Sequence, residues 1–330
     1  MSDHKEAKSF SRFGYIMVAA GAAIGLGNIW KFPYLAYGDG GGAFVLIYIV
    51  ICILLGHPIV QAEQAVGRRG RASAAASYGV IHPKWRFVGV INIVCTFLID
   101  IYYLVVSGWV LKYFVTYVVS GDFGKDKQAY FDNYISSTTQ PLIYSLVIIA
   151  IIVFFLFFGI TNIVEKASKV IMPMLAVLLL VCGIYALIVV PGAVDGLKYY
   201  FVPDFSKFGM QQFADACMQV CFSVGIGWGI FTTLGASMDK DANLKADAWW
   251  VDICDTFIAL LAGFVIIPTV VGTGSEMSSG PSLVFVAMTQ IFETLPGGRI
   301  IGIFFFASLI FAVISTFFTI LEIPRMYVQE

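Results

Sequence analysis

Charge is what this sequence has least of. Lys, Arg, Asp and Glu make up 12% of the 330 residues, about half the share found in soluble globular domains. That shortage excludes a water-soluble domain. The three histidines (His4, His57, His82) lie at or near apolar stretches with no metal-ligand spacing, so a histidine metal centre has no support. No Asn-x-Ser/Thr sequon occurs, which removes glycosylation as a sign of a eukaryotic surface protein. A net charge of -1 supplies no basic field for nucleic acid. Gly25-x-Gly27 has neither the strand nor the helix context of a dinucleotide loop, and no enzymatic chemistry or organic cofactor is expected. What the chain has in abundance is apolar surface: 59% hydrophobic residues, 29 Phe and 16 Tyr, with a mean hydropathy of +0.87. Such a composition also fails the disordered, collagen-like and disulfide-scaffold classes. An all-α polytopic membrane protein remains.

A spanning helix needs about 20 mostly apolar residues. Eight stretches qualify: 14–37, 42–66, 87–119, 142–158, 170–190, 211–236, 246–272 and 300–327. A ninth, 282–294, is too short to span and follows Gly280-Pro281, so a short hairpin or re-entrant segment is expected there. A barrel would show ten-residue alternation, whereas 142–158 is apolar on every face. Basic residues set the orientation. Lys5, Lys8 and Arg12 precede the first span, and Arg68, Arg69, Arg71, Lys84 and Arg86 follow the second with no acid among them. The N-terminus is therefore placed in the cytoplasm, in the plasma or inner membrane. All six cysteines (Cys52, Cys95, Cys182, Cys217, Cys221, Cys254) sit in apolar runs and read as small buried hydrophobes.

Two spans make poor helices. The first carries Gly21, Gly25 and Gly27, then Asn28, Lys31 and Pro33; the sixth carries Gly225, Gly227 and Gly229. Gly21-x-x-x-Gly25 alone fits a small-residue packing seam, but that leaves Asn28, Lys31 and the recurrence five spans later without a reason. Unwound backbone at membrane depth is tolerated where it lines a site. Paired Gly/Pro-interrupted spans mark the binding site of transporters built from repeats, a pattern already described in sodium-coupled transporters.

The blocks Asn28-Ile29-Trp30-Lys31-Phe32-Pro33-Tyr34 and Gly40-Gly41-Gly42-Ala43-Phe44 resemble the signature of the neurotransmitter:sodium symporter family. Glu63, Gly67-Arg68, Tyr102-Tyr103, Pro203-Asp204-Phe205, Gly225–Gly229, Gly280-Pro281 and Pro296-Gly297-Gly298 continue the match in order along the whole chain. The resemblance implies a single transmembrane transport domain over 1–330. Its fold would be two inverted five-helix repeats with helices one and six broken, the first repeat at about 10–190 and an incomplete second at about 211–330. It implies sodium-coupled symport of an amino acid into the cell by alternating access. The partners would be the substrate, sodium ions and the lipid bilayer.

Carried over position by position, the resemblance implies two sodium sites. The first would use the Ala23 carbonyl with Asn28, Ser223 and Asp255; the second would use the carbonyls of Gly21, Ile24 and Ala312 with the hydroxyls of Ser315 and Thr316. Oxygen ligands suit a hard cation. Ser315 and Thr316 bonding back to their own helix is the structural alternative. Asp255 stands where the family commonly has Asn. An acid there is costly in the membrane and functional by default. Tyr48, Gln219 and Ser223 match a chloride site whose remaining position is Ala259, so the expectation is that Asp255 supplies the negative charge and transport is chloride-independent. The alternative is that Asp255 pairs with another polar group in the bundle.

The substrate would meet Ala23, Gly25, Leu26, Gly27, Ile99, Tyr103, Phe222, Gly225, Trp228, Phe317 and Ile320. Gly25, in place of the acid of monoamine carriers, implies a substrate that brings its own carboxylate. Phe317 and Trp228 are bulkier than their counterparts in a bacterial member, which favours a fairly small pocket. Lys31, Tyr103 and Phe222 would form the outer gate. Glu6 and Ser9 replace the usual inner-gate pair, with Lys5 and Lys8 as stand-ins. Glu63 and Glu322 read as buried structural or gate acids. Asp100 has two readings: a substrate or proton contact, or an acid hydrogen-bonded within the bundle. The chain ends at Glu330, beside the eighth span, so a fragment or truncated gene is expected, with a sodium leak or an inactive product as the competing functions.

Overall fold

The computed structural model describes residues 10–157 and 164–330. The elements in order are α1 (Arg12–Ala23), a wide π-helical turn (Gly27–Lys31) and α2 (Phe32–Gly38); α3 (Gly42–Ile51), a second wide turn (Cys52–Gly56) and α4 (His57–Gly70); and α5 (Ala74–Ile81) and α6 (Arg86–Val119). Then follow α7 (Lys127–Ser136), α8 (Thr139–Phe157), α9 (Glu165–Val189) and α10 (Ala193–Phe201). The last are α11 (Met210–Val224), α12 (Ile230–Ala236), α13 (Leu244–Thr273), a wide turn at Leu283–Ala287 leading into α14 (Met288–Thr294), α15 (Gly298–Ile320) and α16 (Glu322–Gln329). Five stretches are long and apolar enough to cross a membrane as single elements: Gly42–Gly70, Pro83–Val119, Glu165–Val189, Leu244–Thr273 and Gly298–Gln329. Two more qualify as bent pairs, α1 with Gly27–Gly38 at 60° and α7 with α8 at 77°. The expected sixth span is split into α11 and α12, each too short to cross alone.

The bundle has an inner and an outer layer. The most apolar windows of α13 and α15 are each 67% buried, against 33% for α6 and α9. Along α6 the exposed side chains are apolar, from Ile91 and Val94 to Ile101 and Val105, which is the pattern of a lipid-facing surface. The polar residues of α6 and α13, including Asn92, Thr96, Asp252 and Asp255, are buried instead. α1 sits in the centre, packed on α9, α13 and α15.

The structure revises several expectations. The segment at 282–294 is a short helix that turns into α15 at Leu295–Gly297, not a hairpin. α7 and α10 are short helices outside the eight expected spans; α7 docks on Leu283–Ala287 and α10 lies along α13. Of the six cysteines only Cys52 and Cys182 are buried, while Cys95 is exposed on the lipid-facing side of α6; a thiol on an apolar run faces lipid as readily as protein. Glu322 is half-buried and ion-paired to Arg325, not a buried acid. Lys5, Glu6, Lys8 and Ser9 lie outside the described residues.

Glycines let two helices touch. α4 and α12 lie side by side, and a Cβ on Gly67 would collide with the Thr232 carbonyl, one on Gly235 with the Gln64 backbone. Both obstacles are main chain and cannot swing aside. Overpacking of this kind costs about 1–3 kcal/mol or more. Gly235→Val is therefore expected to lower the thermal midpoint of the detergent-purified protein, whereas Gly124→Ala, which meets no atom within 4 Å, serves as the left-handed-glycine control with only its backbone strain.

Candidate functional site: the two helix breaks

α1 ends because Ile24 turns extended (φ -72°, ψ 98°). A helix end leaves its last carbonyls without intrahelical donors. Here the Gly21 carbonyl accepts from Ser315 Oγ and Thr316 Oγ1, each at 3.2 Å, and the Ile24 carbonyl accepts from Thr316 Oγ1 at 3.0 Å. The same hydroxyls also reach back along α15 to the Ala312 carbonyl, at 3.0 and 2.9 Å. The back-bonding of Ser315 and Thr316 to their own helix is therefore present, and the same hydroxyls also reach the end of α1. Five oxygens from two helices converge on one buried spot, all uncharged.

The second break needs its glycines. Gly225, Gly227 and Gly229 all have left-handed backbone (φ +74°, +80° and +79°), a region that side-chain-bearing residues avoid. Glu63 of α4 is buried, and its Oε1 accepts the Gly227 N–H at 2.9 Å. A buried acid thereby satisfies the freed amide of the unwound chain.

Between the breaks lies a charged cluster. Asp255 has 0% exposure. Its Oδ1 accepts from Asn28 Nδ2 at 2.7 Å and its Oδ2 from Ser223 Oγ at 2.7 Å. Asn28 also donates to Ser223 Oγ at 3.0 Å and accepts from the Gly25 N–H at 3.3 Å. Tyr48 donates to Ser223 Oγ at 3.2 Å. The polar partners that the sequence left open for Asp255 are therefore Asn28 and Ser223 themselves. Gln219, one turn before Ser223, has no partner for either side-chain atom among the described residues.

Several of the expected pocket residues meet at these breaks. Phe317 and Ile320 are buried, and the Tyr103 and Phe317 rings meet edge-on at 5.1 Å. A Cβ on Gly25 would stand 3.3 Å from Tyr103 Oη, and one on Gly27 would collide with the Phe222 ring. Phe222 packs edge-on against Trp228 at 5.5 Å, and the Lys31 ammonium lies 4.4 Å from its ring centroid. Phe222 remains 39% exposed and Tyr103 is buried: the two expected lid residues belong to different aromatic pairs here. Ala23 and Leu26 are buried and Ile99 is half-buried.

Three contacts had no clear signal in the sequence. Arg12 Nε pairs with Asp247 Oδ1 at 2.8 Å, and Ser11, Glu165 and Lys169 form a triad at 2.5–2.9 Å. These tie the start of α1 to α13 and α9. His57 Nδ1 lies 2.9 Å from Asp252 Oδ2, with the ring stacked on Trp249 at 4.1 Å. Only the spacing of Asp252 one turn before Asp255 hinted at a polar stripe on α13.

The model of the sodium:neurotransmitter symporter family matches residues 7–121 and 131–325. The chain belongs to that family. It is therefore a multi-pass, sodium-coupled membrane symporter, of a family of transporters and not of enzymes. The uncharacterized sodium-dependent transporter YhdH of Bacillus subtilis is 34% identical over 98% of this chain and 72% of its own length. An uncharacterized sodium-dependent transporter of Haemophilus influenzae is 33% identical over 97% and 73%. Among solved structures, MhsT in complex with L-phenylalanine superposes with a TM-score of 0.89 at 34% identity, covering 98% of this chain and 75% of that one. The symporter thus spans about three quarters of the length of these relatives.

Proposed function

We propose that this symporter carries an amino acid into the cell with sodium, through a single transport domain with its N-terminus in the cytoplasm of a plasma or inner membrane. The observation that carries the reading is the convergence of Asn28, Ser223 and Asp255 from three helices at the gap between two broken spans. Residues at about 10–190 belong to the first repeat and those at about 211–330 to part of the second. MhsT, the structural neighbour, is described with bound L-phenylalanine, which supports an amino-acid substrate.

The family resemblance implies two sodium positions, and the donor chemistry supports them. One ion is held by the Ala23 carbonyl, Asn28, Ser223 and Asp255, beside the substrate carboxylate. The other takes the carbonyls of Gly21, Ile24 and Ala312 with Ser315 and Thr316. Both donor sets are all oxygen, as a hard cation requires. The second ion draws α1 onto α15. The first is completed by the carboxylate that the Leu26 and Gly27 amides and Tyr103 receive, so each ligand completes the other's site. Lys31, Tyr103 and Phe222 close the outer side, and opening the opposite side requires the Arg12–Asp247 pair to part.

Asp255 also bears on anions. Its carboxylate already places a negative charge where Tyr48 and Ser223 gather, and Ala259, one turn on, offers no hydroxyl. Uptake is therefore expected to be chloride-independent. In proteoliposomes with an inward sodium gradient, replacing chloride by gluconate leaves the uptake rate unchanged; a collapse of uptake contradicts the assignment. Uptake that persists when sodium is replaced by potassium contradicts the function itself.

A further inference from the structure

Asp100 is the one acid at the breaks with nothing to hold. It is 7% exposed, and both carboxylate oxygens are buried with no hydrogen-bond partner among the described residues. The intra-bundle reading of this residue therefore has no donor to support it. None of the ion pairs among the described residues includes it either. The basic side chains of the neighbouring spans are occupied elsewhere: Lys31 over Phe222, and Lys112, three turns along α6, near Tyr130 and Tyr144. An uncompensated carboxylate at such depth costs several kcal/mol, a cost that a proton or an arriving cationic group relieves.

The geometry says where that cation stands. At 100° per residue, Asp100 lies within roughly 40° of the line on α6 that runs through Thr96 and Ser107, with Tyr103 beside that line. Thr96 donates its hydroxyl to the Trp228 carbonyl, inside the second break. Tyr103 reaches the first break beside Gly25 and meets Phe317 edge-on. Asp100 is therefore on the inner face between a residue that touches one break and a residue that touches the other. The remaining walls, Ile99, Trp228, Phe317 and Ile320, are apolar.

Apolar side chains beside a single unpartnered carboxylate match one kind of substrate side chain: a methylene stem ending in a positive charge. We propose that the substrate is a cationic amino acid, such as lysine, ornithine or arginine, whose side-chain cation is held by Asp100. The assignment rests on the amino-acid symport reading above and goes further by naming the class. Charge balance agrees with it. Relative to a neutral amino acid, the extra positive charge of the substrate is cancelled by the extra negative charge of Asp100.

The test is sodium-dependent thermal stabilisation of the full chain in detergent, titrated with L-lysine, L-arginine, L-ornithine, L-leucine and L-phenylalanine. The wild type is expected to respond to the cationic amino acids at concentrations at least about tenfold below the neutral ones, the size of one charged hydrogen bond. Asp100→Asn is expected to lose that preference while keeping a sodium-dependent response to leucine, which also shows that it folds. Asp100→Glu, which keeps the charge on a longer stem, moves the preference from lysine toward ornithine. A wild type that prefers neutral amino acids, with an Asn variant that behaves alike, overturns the cationic assignment and leaves the symport reading standing. No sodium-dependent response to any of the five overturns both.

Discussion

Asp255→Ala is expected to reduce sodium-driven amino-acid uptake by about 100-fold or more. The carboxylate accepts from Asn28 and Ser223 at 2.7 Å each and has no access to solvent. Each buried neutral donor left without its acceptor costs about 1–3 kcal/mol, and every 1.4 kcal/mol is about tenfold. The loss has two origins. The Asn28 amide and the Ser223 hydroxyl are left without their acceptor, and a sodium ion arriving there meets only neutral oxygens. Asp255→Asn separates the two, because it keeps an acceptor and removes the charge. It is expected to retain weakened uptake. Combined with Ala259→Ser, it is expected to make that uptake chloride-dependent, since Tyr48, the unpartnered Gln219 and Ser223 are already in place. Radiolabelled uptake with and without chloride reads both effects.

The double variant Ser315→Ala with Thr316→Val is expected to abolish one of the two sodium dependences. Its sodium activation curve should move to concentrations roughly 10–100-fold higher and lose its sigmoidal shape. Both hydroxyls donate from α15 to the carbonyls at the end of α1, Ser315 to Gly21 and Thr316 to Gly21 and Ile24. Their removal takes two oxygens from a set of five and leaves buried carbonyls bare, at about 1–3 kcal/mol each. Val fills nearly the volume of Thr, so packing changes little and the loss is chemical. Sodium titrations of uptake at fixed substrate check this, with the Asp255 cluster intact as the internal reference. A variant with the wild-type sodium curve would show that Ser315 and Thr316 serve as structural hydrogen bonds within α15 and to α1, and not as sodium ligands.

Much of this architecture can be read from residue spacing. The alternating glycines at 225, 227 and 229 all adopt left-handed backbone, which a continuous helix does not use, and Gly25-x-Gly27-Asn28 sits where α1 stops and its axis bends by 60°. The blocks around Gly41 and Pro203, far apart in sequence, meet as an antiparallel bridge. Other features have no local signal. α7 and α10 are short helices fixed by what they dock against. The His57–Asp252 pair joins single polar residues on two apolar helices, and no periodicity announces a partner 195 positions away. Asp100 shows the same limit from the other side. Its place on the inner face of α6 follows from helical phase, but the lack of a donor opposite it depends on five neighbouring helices and is visible only in three dimensions.

Reciprocal coupling between sodium and amino acid tests the mechanism most directly. If the substrate carboxylate completes the site at Asn28, Ser223 and Asp255, binding must be linked in both directions by one factor. Calorimetric titration of the purified protein with L-lysine and L-leucine, each in sodium and in potassium, measures it, together with sodium titrations at zero and saturating amino acid. The expected result is an amino acid that binds tightly only in sodium, and a sodium affinity raised by that amino acid through the same factor. An amino-acid affinity that is equal in sodium and potassium would contradict it.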